Sequence, residues 1–330
     1  MEEKLTFLGE DDFLPAMENE IKKWQKEKVT RGTITSFDGT RLNYYTVCPE
    51  NPKASVVIVH GMAEFWPKYY EYAWNLYRAG FKVFFMEQRG HGYSEGKCKE
   101  ADLIFIDDYS TYVEDLHAFM DKIVKSQSQG LDILLVAHSM GGAVSTLFLS
   151  KYPDYFKAAV LSSPMMKMKA GNLNPILVAI LRLYAKLFRK EKNIAPNQKR
   201  FDPNVKIEVS SARSVPRFEY QLALRKKDDH YQATAATFGW ALASLKVHDD
   251  IMRRASSIKI PITIMTAGDD HLIDPAGYDE IAKRIPQARF IHYENSRHEI
   301  FNADEVTRKQ YYTDVIDTLN SYDVGVKSKF

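Results

Sequence analysis

The segment Leu131–Ala143 (LDILLVAHSMGGA) decides the fold. Its first seven residues are an apolar run typical of a buried strand, and the next five, His138–Gly142, contain the small residues of a sharp turn. Helical spacing of apolar residues follows. Small residues are needed here because a strand and a helix that flank a sharp turn approach closely and leave no room for larger side chains. Ser139 lies at the centre of the turn and is therefore a candidate nucleophile.

Short apolar runs alternate with amphipathic segments on both sides of this turn. Continuous apolar runs suit strands buried on both faces, and the intervening helices supply the crossovers of a parallel sheet. We therefore predict an α/β fold with a mostly parallel, doubly wound sheet. An antiparallel hairpin precedes it, with strands over Thr30–Ser36 and Leu42–Val47 and a turn at Asp38-Gly39.

The alternation stops at Pro164 and returns at Pro261. The stretch between these prolines has helical periodicity and no buried strand, which indicates a helical insertion. A single amphipathic helix is predicted over residues 12–28, as a docked or frayed appendage. The predicted organisation is a helical extension (1–28), a first core part (29–164), a helical cap (165–250) and a second core part (251–330).

The composition excludes several classes of function. Hydrophobic residues make up 45% of the chain, and the formal net charge is only +2, so we expect no nucleic-acid partner. No metal or phosphate-binding motif occurs, and we predict neither a metal nor a cofactor. The N-terminus lacks the pattern of a signal peptide, and the longest apolar stretch is too short to span a bilayer. We expect a cytoplasmic protein; the sequence leaves the oligomeric state open.

A serine hydroxyl needs a nearby base, and the base needs an acceptor that orients it. His298 follows the last predicted strand and is the candidate base. The candidate acids lie in the polar turn after the strand that ends at Thr266, at the edge of the sheet where α/β proteins place their sites. Asp274 precedes a proline and is assigned to capping the next helix. Spacing alone does not separate Asp269 from Asp270.

Two backbone N–H groups are candidates for stabilising the oxyanion of an acyl-transfer reaction. Met62 follows a strand that ends in His60-Gly61, and Met140 follows the candidate nucleophile. Each such donor supplies roughly 3 kcal/mol of transition-state stabilisation. The glycine-containing run Gln88–Ser94 is assigned a structural role beside the site.

These motifs resemble the monoacylglycerol lipase and bacterial lysophospholipase branch of the α/β-hydrolases, over roughly residues 29–320. The resemblance implies the α/β-hydrolase fold with a cap and a Ser139–Asp270–His298 triad. The family pattern places the acid at Asp270, although Ala267 stands where the family has its first glycine. The matching motifs are His60–Glu64, Arg89–Ser94, Ala137–Gly142 and Arg297–Ile300.

We therefore predict a carboxylic ester hydrolase that acts on monoacyl lipids, either lysophospholipid or monoacylglycerol. The apolar segment Ile176–Phe188 is predicted to line the acyl-chain site, and its basic flanks to meet anionic membrane lipid. The alternative for that segment is a core-packed cap helix with a solvated charged edge. The alternative functions are an esterase or peptidase for small soluble substrates, with Asp228-Asp229 as a weak amine site, and a non-catalytic binding protein.

Overall fold

An eight-stranded sheet forms the centre of the computed structural model, which describes residues 5–96, 98–169 and 175–322. The strand order is β1-β2-β4-β3-β6-β7-β9-β10, with β1–β2 and β2–β4 antiparallel and the other pairs parallel. The predicted fold class is confirmed. The strands of this sheet are β1 (Thr30–Thr35), β2 (Arg41–Val47), β3 (Ala54–Val59), β4 (Phe81–Met86), β6 (Ile133–His138), β7 (Ala158–Ser162), β9 (Ile262–Ala267) and β10 (Arg289–Tyr293).

Helices cover both faces of the sheet because the central strands are apolar on both sides. In β3, Val57 and Val59 join one core cluster, whereas Val56 and Ile58 join the other. The first cluster packs under α4 (Ser110–Phe119), α6 (Met140–Lys151), α9 (Phe238–Arg254) and α10 (Ala276–Arg284). The second packs under α1 (Glu10–Glu18), α2 (Glu20–Lys28), α3 (Tyr70–Arg78) and α11 (Glu305–Ser321). A π-helical turn and the short α5 (Lys125–Ser128) prolong α4.

The stretch between β7 and β9 is mainly helical, as predicted for the cap. It contains α7 (Pro175–Leu187), α8 (Val215–Lys227) and α9. The prediction that it contains no buried strand is wrong, because the buried β8 (Ala235–Ala236) pairs with β5 (Leu103–Ile104). Two alanines are too few to produce a recognisable strand pattern. Residues 1–4, 97, 170–174 and 323–330 of the predicted domains lie outside the described residues, and the domain limits remain a prediction.

The N-terminal segment is two helices rather than the one predicted over residues 12–28. Asn19 interrupts them with φ −111° and ψ −80°, and its side-chain amide donates to the carbonyl of Pro15. Pro15 has no N–H to give to the helix, which weakens the helix just before this break. The segment is docked, because each successive turn buries an apolar side chain. These are Phe13, Met17, Ile21 and Trp24.

A carboxylate from the first helix neutralises two fully buried arginines. Glu10 accepts from Arg308 Nη1 at 2.6 Å and from Arg217 Nη1 at 3.0 Å. Arg217 also pairs with Glu71, whereas Glu10 is the only carboxylate that pairs with Arg308 in the described part of the chain. A buried cation without its partner is strongly unfavourable. The extension is therefore fastened to α8 and α11 by charge as well as by apolar packing.

We predict that Glu10→Gln lowers the free energy of unfolding by about 1–3 kcal/mol, a value below that of a fully buried pair because the Glu10 side chain is partly exposed. Denaturant unfolding measures the change. Asp11→Asn, an exposed neighbour on the same helix, is the matched control. Equal stability of the two variants would contradict the role assigned to Glu10.

Candidate active site

The turn at Ser139 holds its backbone in an unusual conformation. Ser139 has φ 50° and ψ −119°, a combination that costs a non-glycine residue about 1–3 kcal/mol. The conformation is fixed by neighbours: the Ser139 N–H donates to the Ser162 carbonyl, and the Ser139 carbonyl accepts from the Met165 N–H. A Cβ at Gly141 would lie 2.1 Å from the Val59 carbonyl oxygen, and one at Gly142 would lie 2.4 Å from a Pro164 carbon. Both glycines are therefore required by close approach.

The structure brings Ser139, His298 and Asp270 into one hydrogen-bonded line. Ser139 Oγ lies 2.7 Å from His298 Nε2, and His298 Nδ1 lies 2.7 Å from Asp270 Oδ2. Because the carboxylate only accepts, Nδ1 carries the proton and Nε2 presents its lone pair to the hydroxyl. His298 and Asp270 are buried, with 2% and 8% of their surface exposed. The arrangement can remove the hydroxyl proton as Ser139 attacks a carbonyl carbon.

The geometry distinguishes the two neighbouring aspartates that spacing left unresolved. Asp269 is exposed and pairs with Arg213 at 2.8 Å. Asp270 also accepts from the N–H groups of Leu272 and Ile273, at 2.8 and 3.1 Å. Burial alone would raise the pKa of Asp270, but its hydrogen bond to His298, the charge of that imidazole and these two donors lower the pKa below its ordinary value. Asp270 is therefore ionised near neutral pH.

Both predicted oxyanion donors lie beside the serine. Met62 and Met140 line the same cavity as Ser139. Met140 is the first residue of α6, so its N–H has no partner within the helix. The Met62 loop is held by His60, whose Nδ1 lies 2.7 Å from the Gly61 carbonyl and whose Nε2 accepts from the Gln88 N–H at 2.8 Å. The stabilising role of these donors remains a prediction.

A buried charged cluster next to the triad was not recognised from the sequence. Lys68 lies between Glu64 at 2.9 Å and Glu299 at 2.7 Å, and its ammonium is almost fully buried. Glu64 also accepts from the Gly61 N–H and lies 3.2 Å from His138 Nδ1. Burial alone would lower the pKa of Lys68, but the two carboxylates outweigh burial and raise it. The cluster therefore joins the oxyanion loop to the loop that carries His298.

A sequence signal for this cluster does exist. Glu64 belongs to one of the quoted motifs, Glu299 directly follows the candidate base, and Lys68 is four residues after Glu64. An ion pair with this spacing on a helix is usually exposed to solvent and contributes little to stability. Burial makes this pair different, and burial depends on contacts with the distant loop at Glu299.

The serine opens into a cavity of about 470 Å³. Its described lining combines apolar and polar side chains from both core parts and the cap. The apolar members include Met165, Met168, Phe218, Leu222 and Trp240, and the polar members include Gln198, Gln221, Arg225 and Thr234. A second cavity, of about 440 Å³, is lined by Asp270 but its described lining does not include Ser139.

The predicted substrate segment Ile176–Phe188 is not among the described residues that line this cavity, and its assignment to the acyl-chain site stays a prediction. The segment forms α7, which lies on α9 and donates from Arg182 to the Leu242 carbonyl. Most of its large apolar side chains face solvent, so the core-packed alternative is wrong. They are Ile176 (70% exposed), Leu177 (47%), Ile180 (57%), Leu183 (59%), Tyr184 (46%), Leu187 (68%) and Phe188 (61%).

Comparison with known proteins identifies the family. A family model described as serine aminopeptidase, S33, a hydrolase family, matches residues 50–305. The chain belongs to that family. It is 28% identical over 277 residues to a monoacylglycerol lipase of Mycolicibacterium smegmatis, covering 83% of this chain and 91% of the relative. It is 24% identical over 307 residues to lysophospholipase L2 of Escherichia coli, covering 88% and 87%.

The fold of this S33 hydrolase recurs in solved structures. One is a soluble variant of monoglyceride lipase from Saccharomyces cerevisiae in complex with a substrate analog, with a TM-score of 0.71 and 18% identity over 91% of this chain and 98% of that one. At this identity the match supports the α/β-hydrolase fold alone.

Two further observations concern the part of the S33 hydrolase that the structure describes. Within it, no cluster of three or more His, Cys, Asp or Glu side chains could hold a metal ion. Within the same residues, no helix is both long enough and apolar enough to cross a membrane.

We predict that Asp270→Asn lowers kcat on a p-nitrophenyl ester by roughly a thousandfold or more, because an amide cannot hold His298 in the required tautomer. Asp269→Asn should stay near wild type, since it removes only an exposed ion pair. Steady-state kinetics on the folded variants decides between the two neighbours. The assignment is wrong if Asp269→Asn is the more damaging change.

Proposed function

We propose that this S33 hydrolase cleaves the carboxylic ester bond of monoacyl lipids through an acyl-enzyme on Ser139. The observation that carries the proposal is the Ser139–His298–Asp270 line at the mouth of a partly apolar cavity. The named relatives, a monoacylglycerol lipase and a lysophospholipase, support the choice of lipid esters.

The geometry provides a two-step mechanism. Ser139 Oγ attacks the ester carbon while His298 Nε2 takes the hydroxyl proton, and the N–H groups of Met62 and Met140 stabilise the oxyanion. His298 then gives that proton to the departing glycerol oxygen, which leaves the acyl group on Ser139. Water, deprotonated by the same imidazole, attacks the acyl carbon. The imidazolium then returns that proton to Ser139 Oγ as the Oγ–acyl bond breaks and the fatty acid leaves. Asp270 stabilises the imidazolium during both steps.

An aminopeptidase is the second candidate, because the family description names that activity. A free amino terminus needs an unpaired carboxylate in the site. Among the described lining residues, the carboxylates are Glu64 and Glu299, and both are already paired with Lys68. Asp228, the weaker sequence candidate, accepts from the Tyr93 hydroxyl at 2.6 Å and is not part of the described lining. These contacts favour an ester substrate.

A non-catalytic binding protein is disfavoured by the same geometry. Such a protein would be expected to lose a member of the triad, whereas all three side chains are present here and in contact. The proposal therefore rests on chemistry that the residues can perform.

We predict that kcat/KM on p-nitrophenyl esters rises with acyl length from acetyl to decanoyl. Each buried methylene contributes about 0.8 kcal/mol, which is roughly fourfold in rate until the cavity is filled. Ser139→Ala should abolish turnover, while Ser145→Ala, a buried serine further along the same helix, should retain it. Preference for acetyl or butyryl esters would contradict the lipid assignment, and faster cleavage of aminoacyl p-nitroanilides would favour the peptidase.

We further propose that α7 docks this hydrolase on an anionic membrane surface. Its exposed apolar side chains would enter the interface, and the basic residues Lys186, Arg189, Lys190 and Lys192 have no carboxylate partner in the described part of the chain. Each basic residue near such a surface contributes roughly 1 kcal/mol. Because these basic residues at the C-terminal end of α7 and just after it are positively charged, we expect this surface to bind anionic lipid rather than a second copy of itself.

We predict that a double variant, Ile180→Gln with Leu183→Gln, loses most co-sedimentation with phosphatidylglycerol vesicles. Both side chains are more than half exposed, so the variant should keep its thermal midpoint. Val306→Gln, which alters an 80% exposed apolar residue on α11, is the control. Unchanged binding of the double variant would refute membrane docking through α7.

A further inference from the structure

Arg225 is the feature of the cavity that the proposed mechanism does not use. It belongs to the last turn of α8 and lines the same cavity as Ser139 and His298. Its side chain is partly buried and stacks over the ring of Phe201 at 4.9 Å. Arg225 is thus a fixed guanidinium in the wall of the proposed substrate site.

All the hydrogen-bond acceptors of this guanidinium are neutral. Nε donates to the Tyr231 carbonyl at 3.0 Å, and Nη2 donates to the Ala233 carbonyl at 3.0 Å and to the Thr234 hydroxyl. Nη1 has no hydrogen-bond partner in the described part of the chain. It also does not belong to the described polar atoms that are fully shielded from solvent and lack a partner. The Nη1 side of the Arg225 guanidinium is therefore available to a ligand.

Three other buried arginines in the described chain each have a carboxylate partner. Arg89 pairs with Asp38 and Asp115, Arg217 with Glu71 and Glu10, and Arg308 with Glu10. No carboxylate of the described chain lies within ion-pair distance of Arg225. A cation held without a counter-ion is costly unless a ligand supplies the missing charge.

The charge nevertheless persists at neutral pH. Burial lowers the pKa of Arg225 to about 10, and the charge of Glu299 acts in the opposite direction. Lys169 lies in the same lining and donates to the Asp270 carbonyl, again without a carboxylate partner. The amides of Gln198 and Gln221 supply further donors in the lining. Together these groups suit an oxyanion rather than a neutral diol.

We infer that Arg225 binds the phosphate of the head group, so that the preferred substrates are monoacyl esters of glycerol phosphate. The inference deepens the proposed function and rests on it. Guanidinium donors suit phosphate oxygens, and a charge-assisted bond inside a partly desolvated cavity is stronger than one to a neutral hydroxyl. Neutral monoacylglycerol of the same acyl chain would lack that bond.

The first test compares two substrates on matched variants. The probes are oleoyl glycerol phosphate and monooleoylglycerol, presented in the same detergent at concentrations below KM. Arg225→Met should lower kcat/KM for the phosphate substrate by about tenfold or more and that for the neutral one by less than about threefold. Lys226→Met, the exposed neighbour on α8, should leave both near wild type. Equal losses on the two substrates, or no loss on either, would overturn the inference.

A second measurement uses the unaltered protein, because Arg225 also holds backbone carbonyls and its replacement can unfold the cap. Glycerol 3-phosphate should inhibit hydrolysis of p-nitrophenyl butyrate competitively at concentrations where glycerol has no effect. Inhibition no stronger than that of glycerol would overturn the anion site. If neither lipid is cleaved although the short ester is, the proposed lipid function fails, and the inhibition result still decides the anion site.

Discussion

The strained backbone of Ser139 is the constraint on which the rest of the site depends. A φ of 50° at a serine has to be held in place by its surroundings. Here the start of α6 approaches the end of β3 and Pro164, which follows β7, too closely for any side chain at Gly141 or Gly142. That packing is possible only because β6 lies in the interior of the sheet, between β3 and β7. The result is a half-buried hydroxyl that lines the cavity at the carboxyl edge of the strands, beside the first N–H of a helix. The free-energy cost of the strained Ser139 backbone is thus offset by the packing of the surrounding domain.

Parallel strands bring the remaining groups to the same edge. The loops after β3, β9 and β10 carry Met62, Asp270 and His298, the proposed oxyanion donor, acid and base, and each loop is restrained by buried polar contacts rather than by apolar packing alone. The Glu64–Lys68–Glu299 cluster connects two of these loops. A buried ion cluster of this kind adds little net stability because desolvation opposes the attraction. The cluster instead fixes the positions of the two loops, because displacement of either loop would leave a buried charge without its partner.

Much of this was predictable because it follows from local pattern. The alternation of apolar runs and helices gave the sheet, and chain order gave the loop position of His298. Family resemblance selected Asp270 where spacing could not, and the geometry agrees with that choice. Most of the failures share one cause. The two-residue β8, the solvent-facing side of α7, the burial of Lys68 and the unpaired state of Arg225 depend on contacts between segments far apart in the chain. The break at Asn19 is instead local and follows from Pro15 four residues earlier. The apolar run of α7 resembles a core helix until its surroundings are known.

The central claim is that the folded edge of the sheet activates one particular serine. Reaction with a fluorophosphonate ester, followed by mass spectrometry of the digested protein, tests this most directly. We expect one phosphonyl adduct per chain, on the peptide that contains Ser139, and no adduct after heat denaturation because the hydroxyl is then no longer beside His298. Modification of a different serine, or equal labelling of folded and denatured chains, would contradict it.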